Sequence, residues 1–401
     1  MPGFPQWPDH ESVLIRTGAR SGLPVVVAMH SSVLGPSAGG CRIWRYARWQ
    51  DGLEDALRLS SAMTAKFAAA GLARGGGKTV VAMPEGYELT PAAKRDVLHD
   101  VADAIESLDG RYATGPDVGT SPQDMVTIGE RTRHVFCKPA EDGGSGDSSP
   151  ATAAGTVAAL RALGARLGGG IGGSGSGASS GVSAGTGSGA SAGTSSGASA
   201  GTSPGASAGT SPRAASGPSA GADSLSGLRL AVVGLGSVGA RIANLLDEAG
   251  AKLVLSDIDP GKRALADRLG AQWYDDPHQA LTAEVDIIVP AALGGVLTEQ
   301  IVPELRCRAI AGPANNQLAE SQVADALHAR GIAWVPDYIV SAGGVIHAIT
   351  VELDMRSEDE AEQRVGRIED TVTGLLQSAD KRGVTLAAVA EELVRARLGR
   401  P

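Results

Sequence analysis

Two hydrophobic periods take turns along this chain. In the first 150 residues, Leu23-Pro-Val-Val-Val-Ala-Met29 reads as a strand, and a glycine-rich loop follows it. Leu53, Leu57, Ser60, Thr64 and Phe67 recur along one side of a helix running from about Leu53 to Ala70. Thr79 to Met83 predicts a further strand stopped by Pro84, and Pro91 to about Leu108 a second helix with Thr90 as its cap. Beyond residue 223 short apolar runs, at 229–233, 252–256, 286–290, 308–311 and 332–335, alternate with helical patterns. Alternation of this kind with short loops predicts a parallel, doubly wound sheet. The tail, 357–398, is helical and amphipathic, with Val365, Ile368, Val372 and Leu375 in register. The fold class is α/β with two domains.

One stretch fits neither period. Residues 168–222 are mostly Gly, Ser, Ala, Thr and Pro, and carry the repeats GASAGTSS, GASAGTSP and GASAGTSP from Gly189, Gly197 and Gly205. Such a unit offers no side chain larger than alanine to a core, so burial cannot offset the entropy of ordering it. A flexible linker inserted into the second domain is expected. The organisation is then 1–150, 151–356 interrupted by the insertion, and a helical region 357–401 that packs back across the hinge.

Composition narrows the classes of partner. The 401 residues carry a formal net charge of −9, which gives nucleic-acid binding no electrostatic support. Three scattered cysteines suggest no disulfide framework, and seven histidines show no metal-ligand spacing, so no metal is expected. No apolar run approaches the ~20 residues a membrane span needs, and the first residues lack the basic and apolar regions of a signal peptide. A cytoplasmic protein with no membrane partner is expected.

The sharpest local signal is GLRLAVVGLGSVGARIANLLDEAGAKLVLSDID at 227–259. A strand runs into Gly234-Leu-Gly236-Ser237-Val238-Gly239, a helix follows, and a second strand ends at Asp257. Gly234 permits the tight turn, Gly236 lets a pyrophosphate approach the backbone, and Gly239 lets helix and strand pack closely. The helix N-terminus offers N–H groups and positive dipole to phosphates. Asp257, 18 residues past Gly239, is placed to accept hydrogen bonds from ribose hydroxyls. The cofactor expected is NAD.

In the first half, Gly71-Leu-Ala-Arg-Gly75-Gly76-Gly77-Lys78-Thr79 has a P-loop's look but lacks its first glycine, and it joins a helix to a strand rather than the reverse. Nucleotide phosphates are therefore not expected there. Lys66 alone reads as a lysine that snorkels to solvent from an apolar helix. Lys78 is harder to dismiss, because three glycines leave room about its ammonium group. Two neighbouring ammonium groups would lower each other's proton affinity, and burial would lower it further, which is how a lysine becomes a base near neutral pH. Asp117, in Thr114-Gly-Pro-Asp117-Val-Gly-Thr120, is from local sequence alone better read as an Asx turn or helix cap. Asn315 and Asn316 follow a strand of the second sheet and serve equally as a turn or as amides for a nicotinamide ribose or a substrate.

Taken together these runs resemble the Glu/Leu/Phe/Val dehydrogenase family, in particular its leucine, valine and phenylalanine branch. The matching stretches are LGPSAGGCR at 34–42, EDALRLSSAMTAK at 54–66, AAAGLARGGGKTVV at 68–81 and RYATGPDVGTSPQDM at 111–125. They continue with GGSGDSSPATAAG at 143–155, the glycine fingerprint, AIAGPANNQLAE at 309–320 and VPDYIVSAGGVIH at 335–347. The resemblance implies a substrate and dimerisation domain followed by a Rossmann domain. It implies NAD-dependent oxidative deamination of an apolar L-amino acid, branched-chain or aromatic, to the 2-oxo acid and ammonia. By resemblance Lys66 binds the substrate carboxylate near Gly39, Gly40 and Met63, Lys78 polarises the carbonyl side and activates water, and Asp117 exchanges protons with the amino group. Thr152, Asn315 and Asn316 would hold the nicotinamide end, and a homo-oligomer is implied. Three positions depart from the family pattern: Cys41 for threonine, Phe67 for asparagine, and Ser341 for the asparagine of the NAGG run. A catalytically silent NAD-binding regulator of the same fold is the alternative.

Overall fold

The computed structural model describes residues 9–169 and 223–399. The expected linker lies outside the described residues, except that residues 168 and 169 end a helix.

Five strands make the first sheet: β1 Ser12–Thr17, β2 Pro24–Ser31, β3 Ser37–Arg45, β4 Gly75–Met83 and β5 Tyr112–Pro116. Their order is β1-β2-β4-β3-β5, antiparallel across β1-β2-β4 and parallel across β4-β3-β5. Helix α1, Trp49–Ala70, covers one face through Leu53, Ala56 and Leu57 against Val26, Ala28 and Val80. Helices α2, Pro91–Glu106, and α3, Pro122–Gly129, cover the other through Val97, Val101, Ile105, Met125 and Ile128. The helical side read from the sequence, Leu53 to Phe67, is buried as expected.

Three stretches expected to be loops or turns are strand. Gly75 to Gly77 belong to β4, residues 37–45 form β3, and Thr114 to Pro116 end β5. The glycines are there to let neighbours approach. A Cβ on Gly39 would lie 1.7 Å from the Gly77 carbonyl oxygen, one on Gly76 2.1 Å from the Thr64 nitrogen, and one on Gly77 2.6 Å from the Tyr112 ring. Room about Lys78 is therefore not their purpose: that lysine is buried.

The second sheet comprises β6 Arg229–Val233, β7 Lys252–Ser256, β8 Gln272–Tyr274, β9 Ile287–Pro290, β10 Ala309–Ile310 and β11 Ala333–Trp334. It is wholly parallel in the order β11-β10-β9-β6-β7-β8, the doubly wound arrangement of dinucleotide-binding sheets. Five of its six strands fall where the apolar runs predict them. On one face pack α4, Ser149–Gly169, α5, Ser237–Glu248, and the tail helices α12, Ile368–Arg382, and α13, Leu386–Arg397. On the other face pack α7, Pro277–Leu281, and α8, Val323–Ala329. The small helix α6 spans Arg263–Leu269.

The two domains share one core. Ala38, Phe67, Ala69 and Leu72 of the first join the cluster built by α4, α12 and α13. Arg397 on α13 donates to the last carbonyls of α1, at Ala68 (2.6 Å) and Ala69 (2.5 Å). Short helices α9, Asp337–Val340, and α10, Gly343–Ala348, lead into a π-helical turn, Ile349–Leu353, and then α11, Glu358–Gly366. In that turn one oxygen of Glu352 accepts from Cys137 N–H (2.7 Å), Ser145 N–H (2.8 Å) and Ser145 Oγ (2.5 Å). Next to it Asp354 pairs with Arg74 at 2.7 Å.

Candidate active site

Three parallel strands deliver the charged groups. Lys78 lies in the middle of β4, Arg42 on β3, and Asp117 directly after β5. The Asp117 carboxylate oxygen Oδ2 receives Lys78 Nζ at 3.0 Å and Arg42 Nε at 2.8 Å. Its loop is pinned to β3: Asp117 N–H donates to Thr120 Oγ1, which donates to the Cys41 carbonyl at 2.8 Å. Gly40 forms the floor, since a Cβ there would stand 2.8 Å from Asp117 Cβ and 3.1 Å from Lys78 Nζ. The Asx-turn reading of Asp117 thus gives way to an ion triad of buried Lys78 with half-buried Asp117 and Arg42.

Electrostatics follow from this placement. Burial works against the ionised Asp117, but Lys78 and Arg42 outweigh it and hold its carboxyl below the usual range. Burial pushes Lys78 below the ordinary lysine range, with Asp117 opposing. Lys66 is likewise lowered, by burial first and by Lys78 as a lesser cause, against the pull of Asp337 and Asp117. Lys78 thus lowers Lys66, but the cation that lowers Lys78 is Arg42, and for both lysines desolvation is the larger cause.

Lys66, in the last turn but one of α1, reaches across the cleft: its Nζ donates to Asn315 Oδ1 at 3.3 Å. Met63, one turn earlier, packs half-buried on the shared core. Asn316 has a left-handed φ of 53° and donates its N–H to Asp337, which also accepts from Tyr338 N–H at 2.9 Å. Burial raises the Asp337 carboxyl above its usual range while Lys66 opposes it. Buried Gln317 braces the same loop, donating to the Gly312 (2.7 Å) and Ala314 (3.1 Å) carbonyls. Asn316 is therefore a structured turn residue, and Asn315 the amide left facing the cleft.

Past the C-terminal ends of the second sheet, the glycine loop has the shape expected. Gly234 takes φ 104°, where a Cβ would strike Ala292, and a Cβ on Gly239 would lie 2.0 Å from the Gly234 carbonyl oxygen. A Cβ on Gly236 would meet nothing within 4 Å, and α5 begins there with no side chain capping its N–H groups. Ser237 and Val238 open that helix, and Ser237 Oγ meets Ser149 Oγ of α4 at 2.5 Å, so two helix N-termini converge on the loop. Asp257 closes β7 and accepts from Leu235 N–H at 2.6 Å and Asp259 N–H at 2.8 Å. The open backbone at Gly236, the uncapped helix and the carboxylate fit a dinucleotide. Thr152, on the first turn of α4, lies against Gly344 of α10 and donates to the Ser148 carbonyl at 2.9 Å.

Sequence reasoning left Arg42, Asp55 and Asp337 unassigned. Arg42 stands inside the quoted run LGPSAGGCR, two residues past Gly40 on the same strand, and that proximity was the available signal. Asp337 sits in VPDYIVSAGGVIH, but nothing local shows that it faces Lys66. Ser341 is buried, and its hydroxyl has no partner among the described residues. Among those residues no cluster of His, Cys, Asp or Glu could hold a metal, and no helix is long and apolar enough to cross a membrane.

Comparison with known proteins gives the family and the fold. The family described as Glu/Leu/Phe/Val dehydrogenase, dimerisation domain, matches residues 12–134, and Glutamate/Leucine/Phenylalanine/Valine dehydrogenase matches residues 256–393. Leucine dehydrogenase of Geobacillus stearothermophilus is 33% identical over 97% of this chain and 91% of its own length. Phenylalanine dehydrogenase of Caldalkalibacillus thermarum is 32% identical over 98% and 93%. The crystal structure of L-tryptophan dehydrogenase from Nostoc punctiforme superposes with a TM-score of 0.74 at 29% identity, covering 98% of this chain and 96% of that one. With two matched domains, a dinucleotide loop in the second and a lysine–aspartate pair in the first, this chain belongs to the Glu/Leu/Phe/Val dehydrogenase family of NAD-dependent amino-acid dehydrogenases.

Proposed function

We propose that the chain catalyses reversible oxidative deamination of a branched-chain or aromatic apolar L-amino acid. Amino acid, NAD and water give the 2-oxo acid, ammonium, NADH and a proton. The observation that carries this reading is the Lys78–Asp117 contact at 3.0 Å, with Lys66 facing it from α1. Bound NAD supplies the hydride acceptor. Lys66 holds the substrate carboxylate over Gly39 and Gly40, beside Met63. Asp117 takes a proton from the amino group, and Lys78, whose hold on its proton burial weakens, takes one from the water that adds to the resulting imine carbon. Gly234, Gly236, Ser237, Val238 and Gly239 cradle the pyrophosphate, Asp257 the ribose, and Thr152, Asn315 and Asn316 the nicotinamide end. Closing the cleft excludes water from hydride transfer.

Support for an apolar side chain comes from the charges of the site: Lys78 and Arg42 pair with carboxylates of the protein and Lys66 is taken for the substrate's own α-carboxylate, so none of these three is left for an acidic side chain. All three reacting groups stand together, which counts against the silent regulatory alternative. The same reading takes 1–150 as the substrate and dimerisation domain, 151–356 as the cofactor domain and 357–401 as the helical region across the hinge, in a cytoplasmic homo-oligomer. Absorbance of NADH near ~340 nm, followed across the twenty L-amino acids, tests it. Turnover is expected with leucine, valine, phenylalanine or tryptophan. Turnover confined to glutamate would overturn the substrate assignment.

A further inference from the structure

Behind the Lys78–Asp117 pair the ionic chain continues outward. Arg42 Nε serves Asp117 at 2.8 Å while its NH1 serves Asp55 Oδ2, also at 2.8 Å. Asp55, on α1, is itself fixed by Tyr46 OH at 2.7 Å and by Arg58 NH2 at 2.6 Å. Charges therefore alternate from surface to cleft: Arg58, Asp55, Arg42, Asp117, Lys78. The Arg42 guanidinium touches both carboxylates, and its planar fork holds them from two separate nitrogens in a fixed geometry that the single nitrogen of an ammonium does not offer.

We propose that Arg42 is a positioning residue of the reaction: braced from outside by Asp55, it holds the Asp117 carboxylate against Lys78 and supplies the second positive charge that sets the protonation of that pair. This rests on the roles proposed above for Lys78 and Asp117. Arg42 touches neither the cleft lysine Lys66 nor the dinucleotide loop in any hydrogen bond among the described residues.

The charge argument can be followed group by group. Facing Asp117 are Lys78 and Tyr112 from β4 and β5, Arg42 and Cys41 from β3, and Lys66 from α1. The Cys41 thiol is pushed up to about 12 by burial and the Tyr112 phenol is also raised, so both stay neutral near neutral pH. That leaves two outside cations, Arg42 and Lys66, and the Asp55 carboxylate behind Arg42 to act on the pair's charge. Arg42 favours the proton-free state of both partners: it stabilises ionised Asp117 and disfavours protonated Lys78. The two titrate as a unit, so an outside charge moves the unit's apparent values in one direction.

The test is the pH profile of kcat/KM for deamination in the full-length enzyme, for Arg42→Gln, Arg42→Lys and Asp55→Asn. Arg42→Gln removes a cation, so the limb on which the pair loses its proton is expected to move up by about one pH unit. Asp55→Asn removes the anion behind Arg42 and is expected to move the same limb down. Arg42→Lys keeps the charge but cannot reach both carboxylates, so the limb is expected to stay near its original pH while kcat falls about tenfold. NADH titration should be unchanged throughout. Opposite movement of the limb cannot come from a loss of stability, which would lower the active fraction at every pH. A stationary limb in Arg42→Gln and Asp55→Asn, with or without a lower melting temperature, overturns the proposal. If Arg42→Gln does not fold, Asp55→Asn and Arg42→Lys still decide it. Asp117→Asn, assayed alongside, separates the two readings: near-normal turnover there sinks the role of Asp117 itself, whereas lost turnover with a stationary limb sinks only Arg42.

Discussion

The two sheets carry their chemistry in different places. In the first, Arg42 and Lys78 project from the body of parallel strands, Asp117 follows directly on a third, and glycines on β3 and β4 bring those strands within van der Waals reach. In the second, the glycine fingerprint, Asp257 and Asn315 lie past strand ends, on loops opening into the crevice. Strands bonded on both sides have almost no freedom, so a side chain on them is held to a fraction of an ångström. Proton transfer needs that precision and a dry setting. Dinucleotide binding needs open backbone N–H groups, which strands do not offer but the start of α5 does. Reaction geometry thus belongs to sheet interior and cofactor affinity to sheet edge.

That division can be attacked from its strongest side first. Lys78→Ala and Asp117→Asn should each lower kcat by about 10²–10⁴-fold, the usual worth of a positioned acid or base, with NADH affinity intact. Because burial lowers Lys78, the neutral base forms at lower pH than for an ordinary lysine, and deamination should climb with pH through that range. In Lys78→Ala the climb should vanish. Near-normal turnover in steady-state assays of Lys78→Ala would return this lysine to a buried structural charge.

Gly39→Ala probes the strand packing. Its methyl would fall 1.7 Å from the Gly77 carbonyl oxygen, backbone that cannot step aside. A loss of about 3 kcal/mol is expected, read as a lower denaturation midpoint at unchanged slope. Wild-type stability would mean that β3 and β4 are not so rigidly opposed.

Lys66→Ala should act on binding. A charge-assisted hydrogen bond worth about 1.5–3 kcal/mol would be lost from ground and transition states alike, raising KM for the amino acid roughly ten- to a hundredfold. A fall in kcat at constant KM would place Lys66 among the proton carriers instead. Asp257→Ser comes next: KM for NAD should rise about tenfold and the preference over NADP should narrow. Equal use of both cofactors by the unaltered enzyme would remove Asp257 from the ribose, with Lys262 and Arg263 the first suspects for a phosphate.

The smallest effect is expected from the insertion. Ser224 Oγ donates to the Arg161 carbonyl at 2.9 Å and Arg161 pairs with Asp223 at 2.9 Å, so the chain re-enters beside the helix it left. A short bridge in place of the Gly/Ser/Ala-rich repeats should leave kcat and melting temperature nearly unchanged. A large change in either would give that segment a part in the fold or the reaction.

What the sequence disclosed follows the same division. The dinucleotide loop is local, its glycines, helix and acid lying within one continuous run, and each sits where expected. Lys78 drew attention locally through its glycines, though not for the reason the structure shows, and Asp117 rose above a turn or cap only through family resemblance, because their contact joins residues from separate strands. Local reading failed where tertiary packing overrode composition. Gly75 to Gly77 look like a loop and form buried strand, since the sheet and α1 demand absent side chains. Two strands left no usable period: β8 is three residues long, and β1 is an edge strand with no fully buried position. Arg42 and Asp337 went unassigned because contacts between residues far apart in sequence leave no periodic trace.

The clamp at Glu352 has a geometric consequence. Two bodies joined by two separate tethers can twist, slide and open, each tether limiting the others only by its length. Here a single carboxylate oxygen ties residues 137 and 145 to the π-helical turn at 349–353. Left-handed Cys137 (φ 59°) and Met355 (φ 53°) flank that knot. Two tethers fastened at one point resist sliding of one body past the other and leave rotation about that point as the softer motion. A swing about that point would part Lys66 from Asn315, and the same three hydrogen bonds would guide their return.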